Sequence, residues 1–189
     1  RIGVVAEEPA ELSRLTGWEL VRYFAGLCAV DRPEPRMGDL FRTLDLWDFR
    51  HAAARGYSRG MRQKLSLIRA LVHEPDLLIL DEPVSGLDPH GIRQVRETID
   101  AYRNTGGTVF ISSHILSEIE RSADRVGILH QGRLLIEDTL EGIRRRLGQG
   151  RRFVVELDRV PPDLEASLRA EPLVLEVTVP ADSQELHMI

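Results

Sequence analysis

Leu77-Leu78-Ile79-Leu80 is an uninterrupted apolar run that ends in Asp81-Glu82-Pro83. A run of this length without polar alternation is the pattern of a strand covered on both faces, and such strands belong to parallel sheets flanked by helices. The residues that follow supply the rest of that unit. Asp88 can cap a helix, and Pro89 fits its first position, where a missing N–H loses nothing. The helical pattern continues to about Asn104, Gly106-Gly107 ends it, and Thr108-Val109-Phe110-Ile111 reads as a second buried strand. A strand, a helix and a strand in this order predict a right-handed crossover between parallel neighbours. The fold class is therefore α/β, built on a parallel sheet.

The rest of the chain arranges itself around this unit. Ile2 to Ala6 reads as the end of another strand. Thr16 with Glu19 three residues on forms a reciprocal helix-capping pair, and Trp18, Val21, Phe24, Ala25 and Cys28 follow at helical spacing. Met37, Leu40, Phe41 and Leu44 mark a second helix, and the stretch from Gly60 to His73 marks a third, which Ser58 can cap. Beyond the crossover, a short helix is expected over Ile115 to Arg121. A hairpin follows, with strands at Arg125 to Leu129 and Arg133 to Ile136 turning through His130-Gln131-Gly132. After Gly148 and Gly150 the pattern changes to β-like segments, Phe153 to Leu157 and Leu173 to Val179, around a helical piece near Leu164 to Arg169.

Length and charge narrow the function. At about 100 to 200 residues per domain, 189 residues make one domain with a small appendage. The net charge is −5, with 25 basic against 30 acidic side chains, and this gives no basis for binding a nucleic-acid backbone. The Arg-rich stretch from Arg144 to Arg152 reads as a solvated helix end. No apolar run of about 18 residues is present to span a bilayer. Cys28 is the lone cysteine, which fits a reducing compartment.

In a parallel sheet, ligands bind beyond the carboxyl ends of the strands. The two central strands end in Asp81-Glu82 and in Ser112-Ser113-His114, which places these polar groups on one edge. Adjacent carboxylates suit magnesium and water chemistry, one holding the hydrated ion and the other orienting or deprotonating a water. His114 can donate a hydrogen bond to a phosphate oxygen. Ser58 and Gly60, at the start of a helix, can receive an anion through free backbone N–H groups. Taken singly, each group is also what an ordinary strand end or helix cap would supply.

In this order, however, Tyr57-Ser58-Arg59-Gly60-Met61-Arg62-Gln63, Leu77 to Asp81-Glu82-Pro83, Ser85-Gly86-Leu87-Asp88-Pro89 and Ser112-Ser113-His114 closely resemble the nucleotide-binding subunits of ATP-binding cassette (ABC) transporters. The resemblance covers roughly residues 1 to 148. It implies a P-loop ATPase core over about 74–148, a helical subdomain over about 10–73 and a small α+β C-terminal extension over 149–189. By the resemblance, Asp81 is the Walker B aspartate that helps hold Mg2+, Glu82 the catalytic carboxylate and His114 the switch histidine at the γ-phosphate. Ser58, Arg59, Gly60 and Met61 match the signature motif, which in the family acts on ATP held by the opposing subunit. Ser85, Gly86 and Asp88 belong to the D-loop that crosses the dimer interface.

The departures from the family are as informative as the matches. The signature commonly reads Leu-Ser-Gly-Gly-Gln, whereas Arg59 stands here in place of the first glycine and Met61 in place of the glutamine. This variant resembles bacterial exporter ATPases of the ABC-2 type, in which the permease is a separate chain. The Q-loop position is Glu7 rather than glutamine; a carboxylate can ligate Mg2+ but adds negative charge near the phosphates. The P-loop itself is not found, and the only lysine is Lys64, outside any phosphate-binding loop. Arg1 stands about where the strand before the Q-loop begins, so the P-loop segment is expected upstream of this sequence. These 189 residues alone are accordingly expected to bind ATP weakly, because Glu7, Asp81 and Glu82 all repel its phosphates.

The resemblance thus implies an ATP-binding, ATP-hydrolysing subunit that powers a membrane exporter. It would work as a dimer with a transmembrane permease, cytoplasmic and peripheral on the inner face of the cell membrane. A DNA-maintenance or ribosome-associated ATPase on the same cassette is an alternative, disfavoured by the acidic charge and by the lack of a long coiled-coil insertion or a second cassette. A non-catalytic cassette that has lost its P-loop is another, but it would have no chemical need for Asp81, Glu82 and His114 together.

Overall fold

The structure, a computed structural model, describes residues 1–7, 14–115, 119, 123–147, 153–156, 164–170, 177–178 and 185–188. They form two compact units, residues 1–122 and 123–189.

The first unit is built on a parallel sheet of order β1-β2-β3, with β1 at Ile2–Val5, β2 at Leu77–Asp81 and β3 at Thr108–Ser112. The register sets Val5 beside Leu80 and Leu80 beside Ile111, so that Asp81 ends level with Ser112. Between the strands run α1 (Gly17–Leu27), α2 (Glu34–Thr43), α3 (Arg59–Leu71) and α4 (Pro89–Asn104). The helix starts follow the expected chemistry. Thr16 Oγ1 accepts from the Glu19 amide at 3.2 Å while Glu19 Oε2 accepts from the Thr16 amide at 2.9 Å. Asp88 Oδ1 accepts from the Gly91 amide at 2.9 Å, with Pro89 at the first helical position. We expect Thr16→Ala to lower unfolding free energy by about 1 kcal/mol. A lower denaturant midpoint at unchanged slope would show it.

One face of the sheet carries the core. Val5, Leu78 and Leu80 pack with Ile68, Leu71 and Val72 of the α3 region and with Val95, Ile99 and Tyr102 of α4. The approach of β1 to α3 is so close that a Cβ on Gly3 would lie 2.3 Å from the Ala70 carbonyl oxygen. The same core continues between the helices through Val21, Ala25, Met37, Phe41 and Leu44, all fully buried. Trp18 lies against Phe41 at 5.5 Å, and the guanidinium groups of Arg42 and Arg50 stack on Trp47 at 4.1 and 3.8 Å. A polar bridge ties these helices to α4. Lys64 Nζ donates to Gln94 Oε1 at 2.6 Å, the Gln94 amide donates to Asp45, and His90 Nε2 lies 3.1 Å from the same carboxylate. The hydrogen bonds from His90 and Gln94 hold the Asp45 carboxyl below its ordinary range.

The expectation of strands covered on both faces needs correction. Leu78 and Leu80 are buried, but Leu77 and Ile79 are only half-buried, and Ile2, Val4 and Phe110 are exposed on the same face. The Thr108 strand is likewise not a buried one: Phe110 is 62% exposed. The described helices serve one face of the sheet. An apolar run signals burial without saying how many faces the chain at hand can cover.

The second unit contains an antiparallel hairpin, β4 (Val126–His130) and β5 (Arg133–Asp138), joined through Gln131-Gly132, followed by α5 (Leu140–Leu147). The expected strands and turn are present, with His130 at the end of β4 rather than in the turn. A small antiparallel sheet of order β6-β8-β7 follows, with β6 at Phe153–Glu156, β7 at Val177–Thr178 and β8 at Glu185–Met188. Helix α6 (Leu164–Arg169) lies between β6 and β7 in sequence, as expected. Most of the helix expected at Ile115 to Arg121, and most of Leu173 to Val179, fall outside the described residues. No helix among the described residues is long and apolar enough to cross a membrane.

Candidate functional site

Parallel pairing of β2 with β3 brings two strand ends into one corner. Ser112 donates its hydroxyl proton to Asp81 Oδ1 and accepts from the Glu82 amide at 3.3 Å. It thereby joins both acidic residues to the neighbouring strand. Glu82 has a φ of 46°, a left-handed conformation that costs a non-glycine residue on the order of 1 kcal/mol. Its surroundings over-determine that geometry. The Glu82 N–H also donates to the Ser112 carbonyl at 3.2 Å, and the Glu82 carbonyl accepts from the Ser85 amide at 3.0 Å and from Gln63 Nε2 at 3.4 Å.

The bend turns the Glu82 side chain inward, where only 16% of it is exposed. Oε1 accepts from the His114 amide and lies against His114 Nδ1, each at 2.9 Å. Oε2 is buried with no hydrogen-bond partner among the described residues. Leaving a buried acceptor unpaired costs about 1–3 kcal/mol, so this oxygen is the one on which a donor from a ligand or water gains most. The His114 ring is largely exposed, and with Nδ1 against Glu82 its Nε2 is left for another partner. The structure thus brings Asp81, Glu82 and His114 together as the sequence suggests.

The helix start at residues 58–61 and the loop at 85–88 also meet. Ser58 caps α3 through its hydroxyl, which accepts from the Met61 amide at 3.1 Å. A Cβ on Gly60 would lie 3.1 Å from Leu87 Cδ2, so the small residue lets the two segments touch. Arg59 donates to Ser85 Oγ at 3.0 Å. Gly86 has a φ of +74°, and a Cβ there would come within 2.8 Å of Arg59 Cδ. Asp88 is occupied as the cap of α4, and Met61 is partly buried against the core.

Two residues outside the sequence-based set prove central to this arrangement. Ser112 bridges the acidic pair, and Gln63, 2% exposed, ties α3 to the Glu82 carbonyl. A polar residue on the apolar side of a helix is the signal that could have revealed Gln63. Glu7 stands exposed in the bend after β1 and makes no hydrogen bond or ion pair among the described residues. No three His, Cys, Asp or Glu side chains converge as a metal nest among the described residues. A Mg2+ ion that shares its shell between water, phosphate oxygens and one carboxylate needs no such nest, and Asp81, exposed at the strand end, fits that requirement.

A family model described as ABC transporter matches residues 1–85. The chain is 41% identical over 146 residues to an uncharacterized ABC transporter ATP-binding protein of Nostoc sp. strain PCC 7120, covering 75% of this chain and 43% of that protein. It is 37% identical over 147 residues to a bacitracin transport ATP-binding protein of Enterococcus faecalis, covering 77% and 47%. It is 35% identical over 142 residues to a lantibiotic transport ATP-binding protein of Streptococcus pyogenes, covering 75% and 61%. A solved structure described as the ATP-binding subunit of an ABC transporter superimposes with a TM-score of 0.74 at 34% identity, covering 78% of this chain and 62% of that one. The chain spans about half the length of the curated relatives it matches.

Proposed function

Since the chain is similar to ABC transporter ATP-binding proteins and shares the fold of their ATPase cassette, we propose that it belongs with them and binds and hydrolyses ATP to power an ABC exporter. The observation that carries this reading is the state of Glu82: one carboxylate oxygen is pinned by His114, and the other is buried without a partner among the described residues. Such a carboxylate orients the hydrogen of an attacking water. The water oxygen then bonds to the γ-phosphorus as the bond to the bridging β-phosphate oxygen breaks; ADP leaves with that oxygen, and the water's proton passes to the Glu82 carboxylate. Phosphoryl transfer of this kind depends mainly on positioning and charge neutralisation. Asp81 would help hold Mg2+, whose charge offsets that of the phosphates, and Glu7 is an additional candidate ligand. As an imidazolium, His114 would donate from Nε2 to the γ-phosphate and from Nδ1 to Glu82.

In the same reading the helix start at Ser58, Gly60 and Met61, which includes Arg59, faces the nucleotide of a second copy, and Ser85, Gly86 and Asp88 lie at the interface between copies. Residues 1–148 serve as the ATPase part and 149–189 as an extension. The permease partner places the protein on the inner face of the cell membrane, without nucleic acid. The names of the bacitracin and lantibiotic relatives support a role in transport. The test is phosphate release from ATP by the complete subunit with and without Mg2+. No release with the metal present would reject the proposal.

The permease should dock on the mainly helical region from Thr16 to about Arg50. Tyr23, Leu27 and Phe49 are exposed there, whereas Phe41 is buried and Trp18, Phe24 and Trp47 pack partly against the core. Cys28, exposed at the end of α1, offers a natural handle for a thiol crosslinker. We expect crosslinks from Cys28 or from a cysteine at Tyr23 to a co-expressed permease. Crosslinks confined to residues 150–189 would contradict this surface.

A further inference from the structure

We propose that Arg59 acts within its own subunit as a positioning residue for the loop at Ser85–Asp88, and through it for Glu82, rather than as a ligand of nucleotide phosphates. Arg59 opens α3, and a cation in the first turn opposes the helix dipole. That turn carries no acidic residue to offset it. Its side chain instead reaches the loop at two successive residues. The guanidinium donates to Ser85 Oγ at 3.0 Å, and the stem lies across Gly86 so closely that a Cβ would meet Cδ at 2.8 Å and Nε at 2.9 Å. Gly86 has a left-handed φ, so the loop's shape and the arginine's course agree. From Ser85 the connection continues by a backbone bond, its N–H donating to the Glu82 carbonyl at 3.0 Å. The backbone of Glu82, from which the carboxylate is aimed, is thus held from α3 by Gln63 directly and by Arg59 through the loop.

The kinetic part of this inference rests on the ATPase reading above; the structural part does not. In the complete subunit without nucleotide, the Ser85 and Leu87 amides, which donate to the Glu82 and Val84 carbonyls, should exchange their hydrogens about three- to tenfold faster in Arg59→Gly and in Ser85→Ala, the range set by loss of one hydrogen bond. The double variant should be no faster than the faster single one, because both changes remove the same contact. Ser85→Thr, which keeps the hydroxyl, should stay slow. With Mg2+ and ATP, both Arg59→Gly and Ser85→Ala should lower kcat several-fold and leave KM for ATP within about twofold. Unchanged exchange in Arg59→Gly would overturn the proposal. So would a tenfold rise in KM in Arg59→Gly that Ser85→Ala does not share, the result expected of a phosphate ligand. Absence of turnover by the unaltered subunit would instead sink the ATPase reading and leave the exchange result to decide the role of Arg59.

Discussion

Glu82→Gln should lower ATP turnover by the complete subunit by about a hundredfold or more, the scale of a lost general base, while nucleotide still binds. The amide is nearly isosteric and can keep one oxygen toward the His114 N–H. At the position of Oε2, however, an NH2 group would donate where the carboxylate oxygen accepts. The change therefore acts on the transition state more than on the bound ground state. Stability should change little, since an acceptor unpaired among the described residues is exchanged for an uncharged donor at the same buried position. Phosphate release and equilibrium nucleotide binding, measured on the same preparation, separate these effects. A variant that keeps more than about a tenth of the rate would remove Glu82 from the role given to it.

His114→Ala should also reduce turnover, by about a hundredfold, a typical loss for one donor to developing phosphate charge. The backbone of residue 114 can still donate to Glu82 Oε1, so the carboxylate stays near its place while the ring is lost. The ring offers Nδ1 to Glu82 and Nε2 to the phosphate, two tasks a single amide group cannot both meet. His114→Gln should accordingly recover only part of the rate. Normal turnover by His114→Ala would reduce the histidine to a local structural role.

Features that depend on neighbouring residues were the legible ones. Thr16 with Glu19, Ser58, and Asp88 with Pro89 open the helices where short-range hydrogen bonding demands, and Gln131-Gly132 turns the hairpin. The strand ends at Asp81 and Ser112 meet because parallel pairing sets them level. Long-range features were less accessible. Nothing in Thr108 to Ile111 distinguishes a strand covered on one face from one covered on two. Glu185–Met188 mixes polar and apolar residues and becomes a strand by pairing with Phe153–Glu156, distant in sequence. Ser112 could be placed on the edge but not assigned its bridge between Asp81 and Glu82, because a hydroxyl's partners depend on three-dimensional register. Arg59 shows the same limit. Its place in the signature motif implies a nucleotide contact, but its long side chain takes a different course, toward Ser85.

The bridge from Lys64 to Gln94 has a practical consequence. Within these 189 residues a lysine-specific protease has one bond to cut, Lys64–Leu65. That bond lies in the middle of α3, between buried Gln63 and buried Leu65, with the lysine amine engaged by α4. A protease needs an extended backbone and a free side chain, so cleavage must wait until α3 has unwound and released α4. Where reclosing outpaces cutting, the rate at which two fragments appear is a clock set by the equilibrium population of that opened form. Because α3 also carries Ser58, Arg59 and Gln63, whatever steadies those residues should slow the clock.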